Sequence, residues 1–469
     1  MTSTDIATPL TLSLRGVAAA LRKREISPVE LTRLALAQIE ADEPRLNAYV
    51  RLTADHALAA AHQAEREMAA GMDRGELHGV PVAVKDLYDM AGLPTTCSSR
   101  VRHDHLASVN AACVDRLSQA GAVIVGKTHT HEFAYGIVTP TTGNPWNIAH
   151  IPGGSSGGSG ATVAARGCFM GMGTDTGGSI RIPAALCGTV GLKPTYGRVS
   201  RFGIASLSWS LDHAGPLTRT VGDAAVTLGA LAGYDPRDPG SADMPVGDYL
   251  AELELGVKGL RIGVPRNYFF DNIDPEVARD VRAAIDRLAH EGAVLVDVDI
   301  PMAGQIMPVE FGLCMPEASA YHQKALRERR DLYQEDVRAM LETGEMIPAV
   351  DYIAALRVRS EMQAAWRKMF DGLDALIGPS VPCGATRRDQ LTVRWPDGSD
   401  EPVSSVFVRL SAPANVMGLP SVAVPCGFTG SGLPTSFQVI GRPFQEARIL
   451  RIARAYERTA DGSTRQPPR

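Results

Sequence analysis

The run Gly153-Gly154-Ser155-Ser156-Gly157-Gly158-Ser159-Gly160 constrains this chain more than any other stretch of it. A flexible linker is one reading, because Gly and Ser are linker residues. Linkers lie between polar, exposed flanks, however, and this run passes directly into Ala161-Thr162-Val163-Ala164-Ala165 and then into a second glycine-rich apolar stretch. A sharp strand-to-helix elbow is another reading, since residues 153–157 satisfy G-x-S-x-G. Such an elbow follows a strand, yet residues 144–152 contain two prolines and no apolar alternation. A phosphate-cradling loop would need the Walker lysine, or a G-x-G-x-x-G with an acidic partner, and neither is present.

A third reading couples the run to Thr174-Asp175-Thr176-Gly177-Gly178-Ser179-Ile180-Arg181-Ile182-Pro183. Gly177 and Gly178 carry no side chains, so backbone N–H groups there can crowd around a substrate carbonyl, as an oxyanion hole requires. Ser179 at the end of that loop is then placed for attack, and a serine hydroxyl needs a base. His150 and His213 lie closest in sequence but have no recognisable triad context. Lys85 is the alternative. It ends the apolar run 80–84, which reads as a buried strand, and lysine is rarely buried without a partner. Buried, it would have the lowered pKa that a base needs; paired with Asp86, it would be merely structural.

The rest of the chain supplies the setting. Residues 12–23 read as a helix. Ser27 as N-cap, Pro28 at N1 and Glu30 at N3 open a second, expected to run to about residue 41. Residues 54–70 read as a third, so residues 1–75 form an N-terminal helical segment packed on a body of 76–460. In that body a helix at 113–119 lies between strands at 80–84 and 122–126, and such alternation argues for an α/β fold. The glycine-serine run is expected to turn helical over 161–166. A helix at 223–232 precedes a helix-rich insertion at about 235–370, with a strand at 260–264, a helix-strand pair across 275–298 and helices at about 316–330 and 352–370. Strands return at 375–377 and 421–424, and a last helix spans 446–458. The tail, 461–469, is expected to be disordered.

Composition excludes several classes. With 45% hydrophobic and 21% charged residues the chain is an ordinary globular one. A net charge of -5 without a dense basic run argues against nucleic acid as a partner. No apolar run approaches the roughly 20 residues that span a bilayer, and the N-terminus lacks the pattern of a secretory signal. The seven cysteines are scattered, odd in number and never in C-x-x-C. They read as reduced, mostly buried thiols of a cytoplasmic protein.

Taken together, Gly79-Val80-Pro81-Val82-Ala83-Val84-Lys85-Asp86, Pro152-Gly153-Gly154-Ser155-Ser156-Gly157-Gly158-Ser159 and the segment from Gly173 through Ser179 to Pro183 resemble the amidase signature family. Gly191-Leu192-Lys193-Pro194-Thr195, Ser210-Leu211-Asp212-His213, Gly418-Leu419-Pro420-Ser421 and Gln438-Val439-Ile440-Gly441-Arg442-Pro443 extend the likeness, which thins between about 235 and 370. The resemblance implies an α/β fold in one compact domain, a large mixed β-sheet core flanked by helices on both faces. It implies Lys85 as base, Ser155 as bridging serine behind a cis peptide bond, and Ser179 as nucleophile. The N–H groups of Thr176, Gly177, Gly178 and Ser179 would form the oxyanion hole, while Asp175 and Arg181 hold the loop. Neither metal nor cofactor is implied.

The same resemblance implies a hydrolase of carboxylic amides, with aryl amides, carbamates (urethanes) and esters as candidate substrates, acting as a monomer or homodimer. Its rival within the family is the glutaminase subunit of a tRNA-dependent amidotransferase, which would need a clamp for a free amino acid; Arg387 and Arg388 are candidates. Tyr135, Gly136, Ile137, Ser156, Phe202, Trp209 and Phe311 are the expected pocket residues. For the aromatic ones, a place in the core is the competing reading.

Overall fold

A computed structural model describes residues 8–460 and 465–468. Its centre is an 11-stranded mixed sheet. In chain order the strands are β1 (Tyr49–Leu52), β2 (Pro81–Lys85), β3 (Val123–Thr128), β4 (Met170–Asp175), β5 (Val190–Lys193), β6 (His213–Thr218), β7 (Arg261–Pro265), β8 (Val294–Val298), β9 (Ala375–Pro379), β10 (Thr392–Arg394), β11 (Asp400–Pro402), β12 (Ser421–Phe428) and β13 (Pro434–Gly441). The sheet order is β1-β3-β2-β4-β6-β5-β12-β13-β9-β7-β8, and β10 and β11 form a separate ribbon. Strand β2 runs parallel to both β3 and β4. Every residue of β2, β3 and β4 is buried, as parallel strands covered on both faces must be.

Helices flank the sheet and share its core. One contiguous apolar cluster extends from Leu10 to Tyr456, so the N-terminal helices and the 235–370 stretch pack as parts of the same body. Ser27 caps the helix Pro28–Leu46 as its sequence predicts: its hydroxyl accepts from the Glu30 N–H at 3.1 Å, and the Glu30 carboxylate accepts from the Ser27 N–H at 2.9 Å. That helix outlasts the expected end near 41, carrying Pro44 in its last turn and closing on Asn47 in a left-handed conformation. No helix among the described residues is long and apolar enough to cross a membrane. All seven cysteines are free thiols, six of them buried.

The strand expected at 260–264 and the one expected within 275–298 form β7 and β8, which extend the sheet beyond β9. Two expectations change. Pro316 does not start a helix but lies inside Ile306–Glu328. A proline there removes one backbone hydrogen bond, and packing against the helices Glu335–Glu345, Ala349–Met369 and Val403–Met417 offsets the loss. The glycine-serine run turns helical at Gly157, not at 161, in the helix Gly157–Ala164. Glycine is required within it: a Cβ on Gly158 would lie 2.4 Å from the Ala48 carbonyl oxygen. Of the tail, Arg465 stacks over the Phe428 ring at 4.2 Å; residues 461–464 and 469 lie outside the described residues.

Candidate active site

The parallel strands β2 and β4 end side by side, where α/β sheets hold their ligands. Lys85 is the last residue of β2 and Thr174 the penultimate residue of β4. Ser155 and Ser156 sit immediately before the helix Gly157–Ala164, and the Gly154–Ser155 peptide is cis. These elements converge on the Lys85 Nζ atom. It lies 2.7 Å from Ser155 Oγ, 2.9 Å from Ser156 Oγ and 2.8 Å from Thr174 Oγ1.

No carboxylate among the described residues bonds to that amine. Asp86, the obvious candidate, is turned away and forms a fully buried ion pair with Lys127 at 2.9 Å. Its other oxygen accepts from the Thr96 and Ser98 N–H groups. Burial therefore brings the Lys85 ammonium down to about 7, against the opposing pull of Asp175, Asp212 and Cys97.

The turn between β4 and the helix Arg181–Cys187 carries Ser179 and is built around Asp175. The Asp175 carboxylate accepts from the Gly178 N–H at 2.9 Å and the Ile180 N–H at 3.1 Å, and from Asn415 Nδ2 at 2.8 Å. It also pairs with Arg181 at 3.0 Å, both side chains having no solvent exposure. Burial works against its charge, but Arg181, with Lys193 and Asn415, holds the carboxyl well below the usual range. The Ser156 N–H donates to the Ser179 carbonyl at 3.2 Å, which ties the two serine-bearing loops together. Among the described residues, the N–H groups of Gly177 and Ser179 find no partner, whereas that of Gly178 is taken by Asp175.

Gly177 has no space for a side chain. A Cβ there would lie 2.7 Å from Glu310 Oε1 and 3.1 Å from Val408. Thr176 is fixed by its hydroxyl, which donates to Asp212 Oδ1 at 2.7 Å. Asp212, Asn415 and Glu310 are residues of the site to which sequence reasoning gave no role. Asp212 belongs to the 210–213 stretch that carries part of the family likeness, Asn415 approaches from a distant part of the chain without a motif of its own, and Glu310 is signalled by a lone acid in the apolar stretch 306–314.

The histidines do not enter the cluster. His213 is buried, with Nδ1 against the Asp175 and Leu211 carbonyls. Burial and the Lys193 charge keep its pKa far below the ordinary value. His150 pairs through its backbone with Arg387, away from the cluster.

The expected pocket residues divide into two groups. Phe202 and Trp209 line a cavity of about 160 Å³ together with Thr174, Asp212 and His213. Trp209 stands at its exposed side, 58% accessible. Tyr135 and Ile137 are buried, Gly136 packs on the His131 ring, and the Ile137 backbone abuts Gly154. Phe311, half-buried on the helix Ile306–Glu328, does not line that cavity. A larger cavity of about 1040 Å³ lies between Trp366, Phe370, Arg442 and Arg448. Neither cavity is lined by Lys85, Ser155 or Ser179, but the smaller one includes Thr174, whose hydroxyl bonds to Lys85.

The amidase family model matches residues 30–450. The chain is 52% identical to an amidase from Pseudomonas putida, with 97% of each chain covered. It is 40% identical to a glutamyl-tRNA(Gln) amidotransferase subunit of Myxococcus xanthus, covering 97% of this chain and 99% of that one. Among solved structures, one described as a vestigial complex revealing the origins of an s-triazine catabolic enzyme superposes with a TM-score of 0.92. The two are 33% identical, with 96% of this chain and 98% of that chain covered. The chain belongs to the amidase signature family of amide hydrolases.

Proposed function

We propose that the chain is a free-standing hydrolase that cleaves the C–N bond of carboxylic amides through an acyl-enzyme on Ser179, with Lys85 as base and Ser155 as bridge. The observation that carries this reading is the Lys85 cradle: three hydroxyls, no carboxylate, and a pKa of about 7. A neutral amine has two N–H donors and one lone pair, which matches three hydroxyl neighbours. Ser156 already donates its own proton to the Thr174 carbonyl at 3.2 Å, so it accepts from the lysine. Ser155 and Thr174 are the hydroxyls that remain, and we assign Ser155, the bridging serine that the family resemblance implies, to give its proton to the lone pair.

The reaction follows from that polarity. Lys85 takes the Ser155 proton, Ser155 takes the Ser179 proton, and Ser179 Oγ attacks the carbonyl carbon. The developing oxyanion is received by the N–H groups of Thr176, Gly177 and Ser179; Gly178, whose N–H is held by Asp175, is left out of that set. One such donor contributes on the order of 2.7–4 kcal/mol to the transition state. The relay then runs backwards, delivering a proton through Ser155 to the leaving amine, and water repeats the path to release the acid.

Phe202 and Trp209 beside the cavity favour aryl amides, carbamates and esters as substrates. The rival reading, a glutaminase subunit, draws on the amidotransferase relatives. The cations considered for an amino-acid clamp count against it. Arg387 pairs with Asp389 at the surface, and Arg388 bonds to the Pro140 carbonyl. Assay of the isolated chain on aryl amides, esters, carbamates and glutamine decides between them. Turnover of aryl substrates, with a Ser179-linked acyl adduct detected by mass spectrometry, is the expected result. Glutamine turnover alone would favour the rival, and undiminished turnover by Ser179→Ala would refute the nucleophile.

A further inference from the structure

The helix Ile306–Glu328 turns three polar side chains to one face, Glu310, Cys314 and Glu317, at the spacing of successive turns. Glu317 is satisfied: it accepts from the Ser210 N–H at 2.9 Å and the Tyr352 hydroxyl at 3.0 Å. Glu310 is not. It is 2% exposed, Oε2 has no hydrogen-bond partner among the described residues, and Oε1 lies against Gly177 in the turn that carries Ser179. Buried polar groups are almost always bonded, so an unbonded carboxyl at such a place calls for a reason. A second group points the same way. The buried Tyr135 hydroxyl, close to Cys314, also lacks a partner among the described residues.

Burial first, then the neighbouring Asp175, pushes the Glu310 carboxyl well above the usual carboxylate range. Arg359 and Arg181 offset this only in part, and Glu317 adds to it. A protonated carboxyl presents one donor and one acceptor side by side. That pair is the complement of a primary carboxamide, which offers an oxygen and an N–H in the same plane.

We propose that Glu310 is a specificity-determining residue that receives a second carboxamide of the substrate, donating to its oxygen and accepting from its N–H. The chain would then prefer diamides over amides with a purely hydrocarbon acyl group. The proposal rests on the assignment of Ser179 and its oxyanion turn, since it is that turn which sets the distance from the scissile carbonyl to Glu310.

The test compares malonamide, succinamide and glutaramide with monoamides in which isopropyl replaces the second carboxamide, the full-length chain serving as enzyme. At least one diamide should exceed its matched monoamide in kcat/KM. In Glu310→Leu that ratio should fall about 10–100-fold, the range for leaving a buried polar group unmatched. In Glu310→Gln, which keeps one donor and one acceptor, it should stay within about threefold of wild type. A wild type that treats every pair alike or cleaves no diamide, a Leu variant with an unchanged ratio, or a Gln variant as impaired as Leu would each overturn the proposal. Ser179→Ala, run in parallel, keeps the two readings apart: loss of all turnover there upholds the nucleophile, and a failed ratio then counts against Glu310 alone.

Discussion

Lys85 and Lys127 lie on neighbouring parallel strands, β2 and β3, one step apart in register, and neither is exposed. Their surroundings nevertheless differ in kind. Lys127 faces the Asp86 carboxylate at 2.9 Å, with the Pro94 carbonyl and the Thr95 hydroxyl completing its shell. Lys85 faces only hydroxyls. Burial is common to both, so it cannot be what makes a base. The partner differs: Lys127 has an anion beside it, whereas Lys85 has only neutral dipoles to set against its burial, and its pKa is lowered. Asp86 is the pivot, because by pairing with Lys127 it leaves its chain neighbour Lys85 uncompensated.

Replacing each lysine by methionine should separate the two roles. Lys85→Met removes the base, and kcat/KM should fall about 10²–10⁴-fold. Its denaturant midpoint at pH 7 should hold or rise, since a poorly solvated amine has been removed. Lys127→Met should do the opposite, destabilising the fold by about 3–5 kcal/mol through the unpaired Asp86 charge. Urea unfolding and steady-state kinetics on both variants provide the check. A large stability loss in Lys85→Met, with activity retained, would collapse the distinction.

The sequence showed this contrast only in part. The strand ending in Lys85, the serine pair and the Gly177-Gly178-Ser179 turn are local patterns, and they stand where motif and periodicity predicted. The pairing of Asp86 was not legible. Alternation along a strand turns Asp86 to the face opposite Lys85, but its partner Lys127 is distant in sequence, and nothing local says which residue waits on that face. The same holds for Asn415 on Asp175, a contact made only by the closed sheet. Helix boundaries failed at Pro44 and Pro316, where tertiary packing outweighs a local breaker. Misplacing the helix start at Pro316 also hid Glu310, which then belonged to no element. The strand β1 was missed because four residues with one buried position give no alternation to read.

The pH dependence should carry the signature of Lys85. With its folded-state value near 7, the neutral base is lost as pH falls, so kcat/KM should drop tenfold per unit below about 7 and level off above it. Stability responds with a definite sign. Between about 7 and the ordinary 10.5 the unfolded chain binds a proton that folded Lys85 refuses, so this group makes stability rise with pH across that window. Lys85→Met should lack that rise, as compared with wild type by urea titration at pH 7 and pH 9. An acid limb centred far from 7 would reassign the base.

The finest test removes one hydroxyl from each lysine. Thr174→Val deletes a 2.8 Å contact to Lys85 at nearly constant volume. The protonated amine, with three N–H groups to satisfy, loses more than the neutral one. The acid limb should therefore move to lower pH while the plateau of kcat falls about 3–10-fold, the worth of one buried hydrogen bond. Thr95→Val deletes the equivalent 2.7 Å contact to Lys127. There the Asp86 ion pair remains, so the cost should be about 1 kcal/mol of stability, with the acid limb unmoved. If both valine variants shifted the pH profile equally, the two lysines would share one electrostatic environment, and the hydroxyl cradle would lose its claim to set the base apart.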